Sequence, residues 1–284
     1  MSAIAGRPSL VTSLPVPHVG FLDLGTSDLV IDALYAGGSK GNSGDDPISK
    51  LIPGVGNQGG FRYAGSPLKG TVRLAVLYTS GAEVDWPDHL DTQTGTFTYY
   101  GDNRTPGRSL HDTPRSGNML LRDAFAASHG PSSARAERVP PFLLFQRAAA
   151  SGRSVRFRGL LAPGGPTMNT DDELAAIWRS TGGERFQNYR ARFTVLDQDY
   201  ISRSWLQHVL SGGNPLEGER PGSWRTWSMG VCTNPCSRRQ RRSSAPRLNN
   251  CQATPQDKPC WRRSVSTSVA VSTTSRLAPL LSGG

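Results

Sequence analysis

The sequence predicts an α+β domain dominated by strands and loops, and three observations carry that expectation. Hydrophobic residues make up 36% of the chain beside 32 Gly and 21 Pro, which favours many turns over a helical bundle. Strand-type stretches recur, at Val72–Tyr78, Thr96–Tyr100, Phe142–Phe145, Ser154–Leu160 and Phe186–Leu196. Helical spacing is confined to Gly117–Ala127, a stretch starting at Thr170, and about 200–210. With 284 residues, the chain can form one or two domains with a sizeable core.

Residues 1–20 read as a mobile arm. Phe21–Leu34 is apolar enough to pack, with Leu29-Val30-Ile31 a strand or a short helix. Tyr35–Asp46 is a Gly/Ser loop, and Ile48–Ile52 is a short apolar piece ahead of Pro53. Gly54–Gly60 is glycine-rich but lacks both the dinucleotide fingerprint and the Lys-Ser/Thr of a phosphate loop. Its glycines suit either an ordinary turn or a close backbone approach to a base or phosphate. Strand Val72–Tyr78 is expected to form a hairpin with Thr96–Tyr100, with Asp91–Gly95 as the polar, Gly-ended turn. Leu120, Leu121 and Phe125 give Gly117–Ala127 a helical stripe. Phe142–Phe145 reads as a buried strand. Ser154–Leu160 reads as a half-buried one with Arg156 and Arg158 outside, either solvated or holding phosphates. Thr170-Asp171-Asp172-Glu173 is a helix start, and Leu174, Ile177 and Trp178 read as the stripe of that helix. Phe186–Leu196 is a strand with Tyr189 and Phe193 on one face, and the last helix ends at Ser211-Gly212-Gly213. The folded domain is thus expected over 21–212, with a linker over 213–230.

Residues 231–284 differ in kind. They hold nine Arg or Lys against one Asp, so most of the net charge of +10 sits there and the other 230 residues carry only +2. Charge alone is therefore weak support for nucleic-acid binding by the folded part. All four cysteines (Cys232, Cys236, Cys251, Cys260) fall in this tail, at spacings that match no usual pair of zinc knuckles. Read in a shifted frame, codons for Ser243–Gln252 can encode LRTKAEQLP, and those for Pro259–Ser268 can encode the amphipathic LLEAIRQHF. A frameshift near 221–237 is the expectation this raises, beside a real basic segment. No apolar run reaches membrane-spanning length and no signal-peptide layout opens the chain, so a cytoplasmic protein without membrane contact is expected.

The stretch from Val76 to Asn118 gathers an indole, two phenols and several carboxylates, equipment suited to a flat heteroaromatic ligand bearing an exocyclic amine. WPDHLD at 86–91, YYGDN at 99–103, HDTPRSGN at 111–118 and GNQGGFR at 56–62 resemble the N-terminal domain of the AspBHI-type (MspJI-like) modification-dependent restriction endonucleases. The resemblance covers most of 20–210. It implies an SRA-like curved β-barrel with flanking helices, which flips a 5-methylcytosine out of duplex DNA. It also implies a separate C-terminal nuclease domain and, in the full-length family, homo-oligomers. That nuclease would begin after about residue 240, where this chain departs from the pattern.

By resemblance, Trp86 with Tyr99 or Tyr100 stacks on the base, Asp102 accepts from its amine, and Gln58 is an amide partner. Tyr99 and Tyr100 point to opposite faces of their strand, so only one can line a pocket. Arg62, Asn103, Arg104, Arg115 and Asn118 are the expected DNA contacts, with Asn103 and Arg104 candidates to replace the flipped base. Asp88 and Asp91 can equally cap turns. No catalytic or metal-holding set is legible: the four Lys stand apart from paired acids, and the five His show no ligand spacing. No cofactor is expected in this chain, and a divalent metal would belong to the nuclease domain. Two alternatives stay open, a nuclease subunit completed by a separate catalytic chain and a β-barrel that binds a free small ligand.

Overall fold

The computed structural model describes residues 17–149 and 152–230. Most of the expected arm and all of the basic tail, cysteines included, lie outside the described residues. In chain order the elements are β1 (His18–Val19), β2 (Leu29–Val30), β3 (Leu34–Tyr35), a 3-10 turn (Ser43–Asp45), α1 (Pro47–Leu51), β4 (Phe61–Ala64) and β5 (Leu74–Thr79). There follow β6 (His89–Asp91), β7 (Thr96–Tyr100), α2 (Gly117–Ser128), α3 (Ser132–Arg138), β8 (Phe142–Arg147) and β9 (Val155–Pro163). The last are α4 (Thr170–Glu173), β10 (Leu174–Thr181), β11 (Glu184–Val195), β12 (Tyr200–Ile201), α5 (Arg203–Leu210) and α6 (Gly222–Ser228).

One mixed sheet runs β4-β5-β8-β9-β11-β7-β6, with β10 added on β11 and β3 then β1 added along β9. The sheet curls on itself. Phe61 on β4 reaches Tyr99 on β7, far along the path, with ring centroids 5.9 Å apart. The bend is built into β8 and β9, whose pairing slips at Leu144/Phe145. Nearby, Gly159 takes φ +146°, and a Cβ there would lie 2.6 Å from Val195 Cγ1. Leu74–Leu77 and Phe142–Phe145 are fully buried, as continuous apolar runs in a parallel pair should be. Helix α2 closes the core by setting Phe125 edge-on against Phe193, 5.1 Å away.

Three sequence expectations change. β5 does not pair with β7; its neighbours are β4 and β8. The Asp91–Gly95 turn does close a hairpin, but between β6 and β7: Gly95 N donates to Asp91 O at 2.9 Å and Gly95 takes φ +68°. The helix expected from Thr170 lasts only through Glu173. Beyond it, Leu174–Thr181 zips onto β11 across Gly182-Gly183, both at positive φ, the geometry of a two-residue hairpin turn. Trp178 is thus not core but 56% exposed, with the Arg185 guanidinium 4.7 Å from its ring centroid. Finally, the segment read as a linker carries α6, whose Trp224 and Trp227 join the core cluster. Arg156 and Arg158 on β9 both turn to Asp32: Arg156 donates to its carbonyl at 3.0 Å and Arg158 to its carboxylate at 2.9 Å.

Candidate nucleic-acid interface

A cleft of about 920 Å³ opens where the loops 38–46, 57–60 and 80–88 meet the ends of β5 and β8. Tyr78, Asp88, Arg62 and Asp46 line it together with Gln58, while Arg104, Arg147 and Arg153 add three more cations. The site is thus polar and charged, with one phenol and four carboxylates (Asp45, Asp46, Glu83 and Asp88) set against four arginines.

Its walls depend on glycine at close approaches. Gly60 N–Cα packs so near β5 that a Cβ there would lie 2.9 Å from Tyr78 O, and a Cβ on Gly38 would lie 2.2 Å from Asp45 Oδ1. The two loops are also tied together, since Asn57 Nδ2 donates to Ser43 O at 3.2 Å. Arg62 pins this corner from within. It is 4% exposed, pairs with Asp46 at 2.8 Å, and donates to the carbonyls of Gly59 (2.8 Å) and Gly56 (3.3 Å). Its guanidinium also lies over the Tyr78 ring, 5.6 Å from the centroid. Asp46 in turn caps α1, accepting from Ser49 N at 2.8 Å.

Asp88 is the distinctive ionisable group of the cleft. It accepts from Tyr100 N at 3.0 Å. Burial pushes its carboxyl up to about 6; the Tyr100 N–H, the Thr79 hydroxyl and Arg104 pull the other way without cancelling it. A carboxyl poised near neutrality in a cleft can accept as an anion or, once protonated, also donate. Burial likewise raises the Tyr78 phenol above its ordinary value.

The expected site residues divide into four groups. Gln58, Arg62 and Arg104 line the cleft. Arg104 is exposed and pairs with Glu83 at 3.4 Å, whereas Arg62 is the internal pin just described. Arg115 lies outside the lining but beside Gly59, its guanidinium carbon 3.6 Å from where a Cβ on Gly59 would be, and its carbonyl accepts from Tyr63 Oη at 2.6 Å. Trp86, Tyr99 and Tyr100 do not line the cleft. Tyr99 is core, between Phe61 and Phe97, and its phenol is raised well above the usual range by burial. Tyr100 takes the opposite face and packs on Trp86, with centroids 5.7 Å apart.

Asp102, Asn103 and Asn118 form a knot beneath the surface. Asp102 accepts from Thr113 Oγ1 (2.8 Å), Gly117 N (2.9 Å) and Asn118 N (2.9 Å), so its charge sits at the start of α2. Asn103 and Asn118 are buried around Asn188. The Asn188 Oδ1 accepts from Asn103 N (3.2 Å), Asn118 Nδ2 (3.1 Å) and its neighbour Tyr189 N (3.0 Å), and Asn188 Nδ2 donates to Gly101 O at 3.0 Å. The sequence reading missed this role of Asn188. It also passed over Tyr78, Arg147 and Arg153 and left Asp88 as a turn cap. A phenol and an arginine at the ends of two otherwise apolar strands were the available signal. Among the described residues, no group of three His, Cys, Asp or Glu is placed to hold a metal, and no helix is long and apolar enough to cross a membrane.

Comparison with known proteins places this architecture. A family model described as restriction endonuclease AspBHI N-terminal matches residues 29–237. The chain is 40% identical to a solved structure described as the DNA recognition domain of the cytosine modification-dependent restriction endonuclease LpnPI, with a TM-score of 0.69, over 84% of this chain and 99% of that one. It is 45% identical to the DNA modification-dependent restriction endonuclease AspBHI, with a TM-score of 0.70, over 77% of this chain and 98% of that one. MspJI restriction endonuclease in complex with a 27-mer oligonucleotide shares the fold at 19% identity and a TM-score of 0.52, over 71% of this chain and 51% of that one. No curated protein matches the chain.

Proposed function

The chain belongs to the restriction endonuclease AspBHI N-terminal family, and from that premise we propose that it recognises modified DNA by drawing a flipped 5-methylcytosine into the cleft at Tyr78 and Asp88. The observation that carries this reading is Asp88: a largely buried carboxyl in a cleft that Tyr78 and four arginines also line. Extruding a base costs a few kcal/mol of stacking and pairing, which the cleft must return. Stacking on an aromatic ring supplies about 1–3 kcal/mol. Tyr78 offers that ring surface, and Arg62 behind it holds it in place. A carboxyl accepts from the cytosine amine, and Gln58 or the N–H groups of the glycine loops can meet the ring carbonyl. Room at C5 rewards the methyl group by roughly 1 kcal/mol at most, so discrimination also depends on rejecting other bases. Arg104, Arg147 and Arg153 suit the backbone phosphates on either side of the extruded nucleotide.

This reading moves the acceptor from Asp102 to Asp88 and the stacking ring from Trp86 to Tyr78. Fluorescence anisotropy of the full chain on two duplexes differing by one 5-methylcytosine, at two salt concentrations, tests it. Tighter binding to the methylated duplex at both salts is expected, and Asp88→Ala should abolish the difference. Equal affinity for the two duplexes in the wild-type chain refutes the reading.

A further inference from the structure

We propose that Val84 is the side chain that enters the duplex in place of the extruded base. The inference rests on the base-flipping reading above. Val84 is 89% exposed. Exposure alone carries little, because lone apolar side chains are common on protein surfaces. The position of this one carries the argument. Ser80, Glu83 and Asp88, from the same loop, line the cleft, and Val84, next to Glu83 in that loop, turns its side chain to solvent beside the lining.

The loop is braced from behind. Trp86 is 5% exposed and packs between Tyr100 and Phe186, at 5.7 and 6.0 Å. Arg179, on β10, lies 5.1 Å from the Trp86 ring centroid and donates to Asp85 O at 2.6 Å. The residues on the C-terminal side of Val84 are thus fixed to the sheet, which lowers the cost of ordering this end of the loop on binding. A base leaving the stack opens a slot with apolar faces above and below. A compact, β-branched side chain with few rotamers fills such a slot without any hydrogen bond of its own. The residues expected from sequence for this task are placed otherwise. Asn103 is 1% exposed, with its amide spent on the carbonyls of Arg108, Ser109 and Gln187. Arg104 is exposed beside Glu83, one residue before Val84, and suits the phosphate next to the slot.

The experiment uses the full chain and a duplex with 2-aminopurine next to the 5-methylcytosine. Wild-type binding should raise the 2-aminopurine fluorescence as its neighbour leaves the stack. Val84→Ala should weaken binding to the methylated duplex about tenfold, the loss expected when a buried valine side chain is truncated. It should also raise the fluorescence at saturation further, because the slot stays open. Val84→Ile should restore affinity, and Val84→Asp should lose more than the alanine. Circular dichroism should be unchanged throughout, since the side chain touches no core. A wild-type fluorescence rise with Val84→Ala and Val84→Asp binding like wild type overturns the assignment and leaves base flipping standing. No rise in the wild type overturns both.

Discussion

The protonation state of Asp88 makes the sharpest prediction. Cytosine presents an amine donor beside a ring nitrogen acceptor, and a protonated carboxyl matches both, accepting from the amine and donating to the nitrogen. The ionised form matches only the amine and sets its charge against the nitrogen lone pair. Burial has raised this carboxyl to about 6, so the matching form is half populated near pH 6 and scarce at pH 8. If only that form binds, the apparent Kd scales with 1 + 10 raised to the difference between pH and 6. The methylated duplex should then lose about fifty-fold in affinity from pH 6 to pH 8. Dividing by the affinity for the unmethylated duplex removes the phosphate contribution. Asp88→Asn supplies the internal control: its amide donates to the ring nitrogen and its carbonyl accepts from the amine, with no proton to lose. The asparagine variant should retain methyl preference and show a flat profile. Anisotropy titrations at four pH values suffice. A flat wild-type profile, or a variant that keeps the wild-type slope, refutes the reasoning.

The same shift bears on folding. The folded-state carboxyl sits above its ordinary 3.8, so the ionised form is disfavoured in the folded chain and stability declines as pH rises from about 4 to about 6. Asp88→Asn should therefore stabilise the free chain by about 1–3 kcal/mol at pH 7 in urea unfolding, and by nothing below pH 4. Arg62→Ala should destabilise by about 3–5 kcal/mol, because it leaves Asp46 charged and buried. Arg104→Ala should leave the urea midpoint unchanged, weaken both duplexes alike, and lower the salt slope by about one. Asn188→Ala should cost about 2–4 kcal/mol, since the N–H of Asn103 and the carbonyl of Gly101 lose a partner in the interior.

The strands were legible where one force dominated. Phe142–Phe145 and Leu74–Leu77 are buried on both faces, and their apolar runs announce it. The Asp91–Gly95 turn was legible because Asp91 caps Gln93 N at 2.8 Å and Gly95 takes the positive φ, both local requirements. What the turn joins was not local. β5 and β7 are separated by β8, β9 and β11, and no spacing in the sequence records that order. The stretch after Glu173 shows the same limit. Leu174, Ile177 and Trp178 have helical spacing, but Gly182-Gly183 folds the chain back on β11, and the ladder overrides the pattern. The cleft was partly legible: the glycine loop, Gln58, Arg62 and Arg104 line it. Tyr78 and Arg147 reach it because β5 and β8 run parallel and end side by side, and Arg153 reaches it from the segment that leads into β9.

The two aspartates show why residue type alone could not settle the acceptor. Asp102 and Asp88 both sit close to β7, and both are carboxylates near aromatic rings. What separates them is the supply of donors. Asp102 has three, two of them backbone N–H groups at the start of α2, so its oxygens are committed to the helix. Asp88 has the Tyr100 N–H and the Thr79 hydroxyl, and it lines the cleft. The division predicts a clean dissociation between stability and recognition. Asp102→Ala removes the capping charge and should cost about 2–3 kcal/mol in urea unfolding, with the ratio of affinities for methylated and unmethylated duplex preserved under folding conditions. Asp88→Ala should do the reverse, leaving the midpoint equal or higher while the ratio falls to one. A variant of Asp102 that folds yet no longer distinguishes the two duplexes would return the acceptor role to Asp102 and leave Asp88 a buried cost without a purpose.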